Sequence, residues 1–186
     1  MSEPTAGTRV VSRRLEFETS GDGTVVDLSD AIAEFLASSD ANDGVLTVFV
    51  PGSTAGVTTI EYESGALEDL QRAIGRIAPR GPEYAHDRRW GDGNGFSHVR
   101  AALLGPSVSI PVEGGRPGLG TWQQVVLCDF DNRPRRRSAI LNFVGTPGGA
   151  PSGCSGPRVG LSSPEVPGHD PEDREDREER QCLVHQ

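Results

Sequence analysis

The 186-residue chain contains no lysine; all 18 of its basic residues are arginine. Schiff-base chemistry on a lysine is therefore excluded. So is a phosphate loop of the GxxxxGK[ST] type, and any cation at a site must be arginine, histidine or a bound ion. Apolar residues are also scarce, at 34%, with aromatics at 5%, which is low for a compact chain of this length and implies that part of it does not pack. No stretch approaches the roughly 18 uninterrupted apolar residues of a membrane helix. The opening MSEPTAGTRVV lacks the charged-then-apolar layout of a secretory signal, so a cytoplasmic setting without a membrane partner is expected. Cysteine is limited to Cys128, Cys154 and Cys182, odd in number and widely spaced, which supports neither a disulfide framework nor a CxxC metal clamp.

What is abundant is acid. Twenty-seven carboxylates against 18 arginines give a net charge of −9, which argues against a nucleic-acid partner and against a polybasic anchor. A GC-rich genome and a high-salt cytoplasm both account for missing lysine with surplus acid. Residues 147–186 carry eight acids and four arginines, hence −4, and leave −5 on residues 1–146. That last segment is rich in Pro, Gly and Ser and then in alternating acid and Arg, too polar to offset its ordering entropy, and reads as a disordered tail.

Residues 1–146 read as one domain. Leu15 and Phe17 at period two mark a strand over 8–19. Asp27 to Asp30 offer caps for a helix carrying Ile32, Phe35 and Leu36 on one face. GVLTVFV (44–50) is a buried strand closed by Pro51-Gly52, and a second strand follows at 56–62. Leu67, Leu70, Ile74 and Ile77 recur at helical spacing until Ala78-Pro79. Residues 80–97 are polar and irregular, where a domain of this size places its chemistry. A short helix at 97–104 and strands at 107–112, 121–130 and 135–144 complete the pattern, the last two joined by the turn residues Asp131 to Pro134. Strands linked by short turns, with two or three helices between them, describe an α+β fold with a largely antiparallel sheet.

Only His86 and His98 lie inside the domain. Both belong to EYAHDRRWGDGNGFSHVR, and a loop that folds back brings two imidazoles to one ion or substrate; the alternative is that each satisfies local backbone groups. Glu61 and Glu63 share one face if the strand continues through TTIEYESG, either as paired carboxylates or as a solvated edge. Ser53 and Thr54, in a small turn between strands, offer hydroxyls and N–H groups to an oxyanion, or simply make a bend. Arg133, Arg135, Arg136 and Arg137 form the dense basic cluster; alternation sends Arg135 and Arg137 to one face and Arg136 to the other. Arginine suits capture of phosphate or carboxylate, and equally suits pairing with acids on a hairpin. Trp122 and Gln123 read as a packing ring and its hydrogen-bonding neighbour at a core edge or subunit interface, and Cys128 as a buried small hydrophobe.

Three blocks, GSTAGVTTIEYESG, DGNGFSHVRAALLGPS and LGTWQQVVLCDFDNRPRRR, resemble the YjbQ-like family, also called the secondary thiamine-phosphate synthase group, over roughly residues 8–146. The resemblance implies a small trimer-forming α+β subunit with sites lined by loop histidines near subunit boundaries. It implies a weak transferase activity of the thiamine-phosphate synthase type, joining a pyrimidine pyrophosphate to a thiazole phosphate with release of pyrophosphate. His86 matches the family's histidine after an aromatic-x dipeptide, His98 its Ser-His pair, Glu61 its glutamate after the small-residue turn, and Trp122 and Gln123 its Thr-Trp-Gln signature. On that basis His86, His98 and Glu61 are the expected catalytic residues. Ser53, Thr54, Asn94, Ser97, Gln123, Arg135 and Arg137 are the expected contacts to a phosphorylated small molecule. Gly52 and Phe96 stand where relatives carry histidine. A divalent metal such as zinc on His86 and His98 would therefore need Glu61, Asp87, Asp92 or a subunit neighbour as a third ligand. The alternative reading is a non-catalytic trimeric ligand- or anion-binding protein.

Overall fold

A computed structural model describes residues 7–148. Eight strands and four helices follow in the order β1 (Arg9–Thr19), β2 (Thr24–Asp27), α1 (Ser29–Ser38), β3 (Ala41–Phe49), β4 (Ala55–Ile60), α2 (Ser64–Ile77), α3 (Ala85–Trp90), α4 (Gly95–Leu104), β5 (Ser107–Glu113), β6 (Arg116–Pro117), β7 (Gln124–Asp129) and β8 (Arg135–Pro147). The fold is α+β and its strand pairings are antiparallel, as expected, but the strands form two sheets rather than one: β1-β8-β3-β5-β6 and β2-β7-β4.

The division follows from β7. Its run Val125-Val126-Leu127-Cys128 is buried on both faces, as a continuous apolar stretch without alternation requires. Val125 and Leu127 join the main core with Ile32, Phe35 and Leu36 of α1 and with Leu46, Leu141 and Phe143 of the large sheet. Val126 and Cys128 point the other way, into a smaller cluster with Phe130 and Ala101, against which Leu70 and Ile74 of α2 and Leu104 of α4 pack. Burial pushes the Cys128 thiol up to about 12, so it stays a neutral, small apolar group. At roughly 1.5–3 kcal/mol per fully buried aliphatic side chain, β7 ties two clusters together, and β2 and β4 flank it.

Four sequence expectations change. Asp131 to Pro134 do not close a hairpin: β7 is central in one sheet and β8 lies between β1 and β3 in the other, so these residues form a corner between sheets. The stretch 80–97 contains the helix α3, and the helices number four among the described residues, not two or three. β4 ends at Ile60, so Glu61 and Glu63 are not paired on a strand; Glu63 is the N-cap of α2. Its carboxylate accepts the N–H groups of Gly65 and Ala66, which holds its pKa below the usual value. Trp122 is 70% exposed and does not sit in a core edge. The segment read as a tail lies outside the described residues, with His169, His185, Cys154 and Cys182; only Pro147, which ends β8, and Gly148 fall within them.

Candidate functional site

One end of the two sheets holds a buried ionic network. Arg137, on the inner face of β8 as alternation requires, donates from Nε and Nη2 to both oxygens of Asp129 and from Nη2 to the Thr54 hydroxyl at 2.8 Å. Thr54 in turn donates to Asp131 at 2.8 Å, and Asp131 also accepts Nε of Arg135 at 2.8 Å. Thr19 closes the network on Asp129. All but Arg135 are buried. Two guanidiniums face two carboxylates, which is the condition for holding charge in a low-dielectric interior. Burial pulls the Asp131 carboxyl up, but the hydrogen bonds from Arg135 and Thr54 and the charges of Arg135 and Arg137 outweigh it and hold the pKa below the ordinary value. Gly52, in the turn before Thr54, has a φ of +150°, and a side-chain carbon there would lie 3.4 Å from Nη1 of Arg137.

The histidine segment is stapled to this network at the corner. Asn94 accepts the backbone N–H of Asn132 at 3.1 Å and the Ser97 hydroxyl. The Ser97 hydroxyl shares its one proton between Asn94 and the Phe130 carbonyl, 2.6 Å away, and the Asn132 amide donates to the Asp92 carbonyl at 2.8 Å. α3 ends at Gly91 in the left-handed conformation, φ 69°, and the chain turns back so that Asp87 of α3 accepts the N–H of Gly95, first residue of α4, at 2.8 Å. A carboxylate at a helix start is favoured by the dipole and by the unsatisfied N–H groups there. The fold-back stacks the His86 and His98 rings with centroids 4.3 Å apart and planes at 34°.

His86 Nδ1 lies 3.4 Å from Asp92 Oδ1 and 3.7 Å from Asp87 Oδ1, and it is buried without a hydrogen-bond partner. His86, Asp87 and Asp92 have potential ligand atoms within 4.8 Å of one another. The set fits a divalent ion through one imidazole and two carboxylates. Glu61 and His98 are not among these three, although the His98 ring stacks on that of His86.

Asp92 also borders an open cleft of about 330 Å³ lined by Asn94, Asn132, Arg133 and Arg135. Arg133 is exposed and makes no ion pair or side-chain hydrogen bond among the described residues. The expected contacts therefore separate into groups. Asn94 and Arg135 line the cleft; Thr54, Ser97 and Arg137 are buried and hydrogen-bonded within the protein behind it. Ser53 and Glu61 are exposed elsewhere on the chain's turns. Gln123 bonds Thr59 at 3.0 Å and lines a different depression with Val108 and Ser109. Asn132 is not among the contacts the sequence suggests, and Arg133 enters there only as a member of the basic cluster; the turn chemistry of Asp131 to Pro134 marks a corner but not what the corner faces. Phe96 is 5% exposed, with the guanidinium carbons of Arg80 and Arg100 at 4.9 and 4.8 Å from its ring centroid.

Known proteins resemble the chain over this same region. The family described as UPF0047 protein YjbQ-like matches residues 13–146. A UPF0047 protein of Mycobacterium bovis is 45% identical over 120 residues, 64% of this chain and 91% of its own length. One from Archaeoglobus fulgidus is 37% identical over 120 residues, 64% of this chain and 90% of its own. Among solved structures, a YbjQ-like protein of unknown function from Sulfolobus solfataricus aligns with a TM-score of 0.66 at 25% identity, covering 74% of this chain and 99% of that one. A conserved hypothetical protein from Thermus thermophilus aligns with a TM-score of 0.57 at 31% identity, covering 72% and 98%. No helix among the described residues is long and apolar enough to cross a membrane.

Proposed function

We propose that this protein, which belongs to the UPF0047 YjbQ-like family, binds the phosphate of a small phosphorylated molecule in the cleft of Arg133 and Arg135 and carries the thiamine-phosphate synthase activity that the family resemblance implies. The observation behind this reading is the juxtaposition at Asp92. On one side stands an arginine without a partner among the described residues, beside a second guanidinium; on the other stands the stacked histidine pair. In the coupling reaction a pyrophosphate anion separates from a developing pyrimidine-methyl cation. Guanidinium donors aimed at the leaving oxygens lower that barrier, because the charge they meet is larger in the transition state than in the substrate. Arg133 and Arg135 take that role, with the Asn132 amide beside them. Asp92 faces the cationic fragment at the opposite side of the cleft, with His86, stacked on His98, behind it. Thr54, Ser97 and Arg137 serve as positioning residues. Were a divalent ion held by His86, Asp87 and Asp92, it would instead supply a Lewis acid to the pyrophosphate oxygens, and that end of the cleft would face the leaving group.

An assay for thiamine phosphate formation tests this. Arg133→Ala is expected to lower kcat/KM for the pyrimidine pyrophosphate by about tenfold, roughly 1.4 kcal/mol, with thermal stability unchanged because the side chain is exposed. An unaltered kcat/KM refutes the assignment. Phe96 favours a second reading, binding without turnover: its ring is packed inward between Arg80 and Arg100 and leaves two imidazoles in the segment. Pyrophosphate that binds with Arg133 dependence while no product forms would decide for it.

Assembly as a homotrimer is part of the same proposal. Trp122, Trp90, Leu103 and Val10 are 60–70% exposed, large apolar side chains that a subunit seam would take out of water. Sedimentation velocity is expected to give three chains per particle; a single chain refutes it.

A further inference from the structure

A second cleft, of about 410 Å³, opens under α2, between that helix and the outer face of the three-stranded sheet. It shares no lining residue with the Arg133 cleft. Its origin is in the sequence of α2, whose apolar residues lie along one face although none is fully buried. Leu70 and Ile74 meet Val25, Cys128 and Phe130 without closing on them, and the Gln71 amide straps the helix to the Gly23 carbonyl at 2.8 Å. The result is a cleft of a size suited to a small molecule, in which Val25, Leu70, Ile74 and Phe130 make an apolar patch beside polar side chains.

Its inner end is charged. Arg100, with a side chain 10% exposed, donates from Nε to the Ala78 carbonyl and from Nη1 to Asp22, both at 2.8 Å. Its Nη2 has no hydrogen bond among the described residues. Asp22 is shared, because its second oxygen pairs with Arg80 Nε at 2.9 Å. Two guanidiniums on one carboxylate leave a local charge of +1. Asp129, also at the cleft, is already paired with Arg137. The rim bears Arg72 held between Glu68 and Asp69, a local −1 that repels polyanions. An inner +1, a free donor, the apolar patch of Leu70, Ile74 and Phe130 and an acidic rim together select a monoanion with an apolar body.

We propose that this cleft binds a small monocarboxylic acid, its carboxylate on Arg100 and its ring- or chain-sized apolar body against Leu70, Ile74 and Phe130. The test is an NMR titration of the full chain with phenylacetate, with 2-phenylethanol as the uncharged counterpart and pyrophosphate as the polyanion. Phenylacetate is expected to shift the amides of residues 23–25, 70–74 and 128–130 in a saturable way. The alcohol should bind about tenfold more weakly, and pyrophosphate should leave those amides unmoved. Ile74→Trp, which fills the cleft without removing a charge or a hydrogen bond, and Arg100→Gln should each weaken phenylacetate about tenfold. Should Arg100→Gln fail to fold, Ile74→Trp decides alone. No saturable shift up to about 20 mM, far above a millimolar Kd, equal affinity for the alcohol, or unchanged binding to Ile74→Trp overturns the proposal.

Discussion

Arg137→Met is expected to destabilise the fold by about 3–5 kcal/mol, the usual consequence of removing one partner from a buried charge pair. Arg137 has 8% of its side chain exposed, and Asp129 has none. Without the guanidinium both oxygens of Asp129 lose their arginine donors, Thr54 loses the N–H it accepts, and Asp131 is left with Arg135 and the Thr54 hydroxyl. Methionine fills the space without supplying a proton donor, so the uncompensated carboxylate is the dominant loss rather than a cavity. Urea unfolding at neutral pH reads the effect, and a loss under about 1 kcal/mol would mean that the network is not buried as described. Arg137→Lys should recover only part of it, since an ammonium does not reproduce the two-pronged contact to Asp129. The same network sets an acid limit. Asp131 titrates lower in the folded chain than in the unfolded one, so its contribution is complete above the unfolded value of about 3.9. It disappears as pH falls from there through the folded value, because the unfolded chain takes up the proton first. Stability should therefore drop with acid in that window, less steeply in Asp131→Asn.

Gly95→Ala is expected to combine a stability loss of about 1–3 kcal/mol, typical of overpacking, with a fall of more than about tenfold in pyrophosphate affinity. A side-chain carbon at Gly95 would collide with Cβ of Tyr84 and come within 2.8 Å of its Cγ and 3.1 Å of Asp87 Oδ1. The stem of Tyr84 cannot swing away freely, because its hydroxyl is anchored to the Pro79 carbonyl at 2.8 Å. Separating α3 from α4 would break the Asp87 to Gly95 bond and unstack His86 from His98, and through Asn94 it would loosen the Asp131 to Pro134 corner. Denaturation and calorimetric titration on the same preparation give both quantities. A destabilised variant with wild-type affinity would show that the histidine segment and the arginine cleft are independent, contrary to the proposed site.

The elements with regular patterning were legible in the sequence, and the site was legible only in its ingredients. Alternation in β1 and β8 and the helical spacing of Leu67, Leu70, Ile74 and Ile77 depend on local periodicity, which survives folding unchanged. The division into two sheets was not legible, because Asn132 and Pro134 turn the chain whether the next strand pairs back or crosses to another sheet. α3 was hidden for a related reason: AHDRRW is six residues long and polar, and it is held by Asp87 capping α4 rather than by an apolar stripe. His86 and His98 are legible as a pair, and their rings stack, but the acids that meet His86 Nδ1, Asp87 and Asp92, are not. Spacing along a loop cannot say which neighbours a turn delivers. The arginine cluster shows the same limit. Alternation correctly separated Arg136 from Arg135 and Arg137, but the inward position that made Arg137 attractive as an anion contact is what commits it to Asp129.

The most direct test of the proposed site is a crystal structure of the full chain soaked with pyrophosphate. Density for the anion is expected between Arg133 and Arg135, in contact with the Asn132 amide, with the Arg137 pair to Asp129 intact behind it. A vacant Arg133 cleft, with the anion found instead beside Arg80 and Arg100 or on an exposed arginine elsewhere, would contradict it.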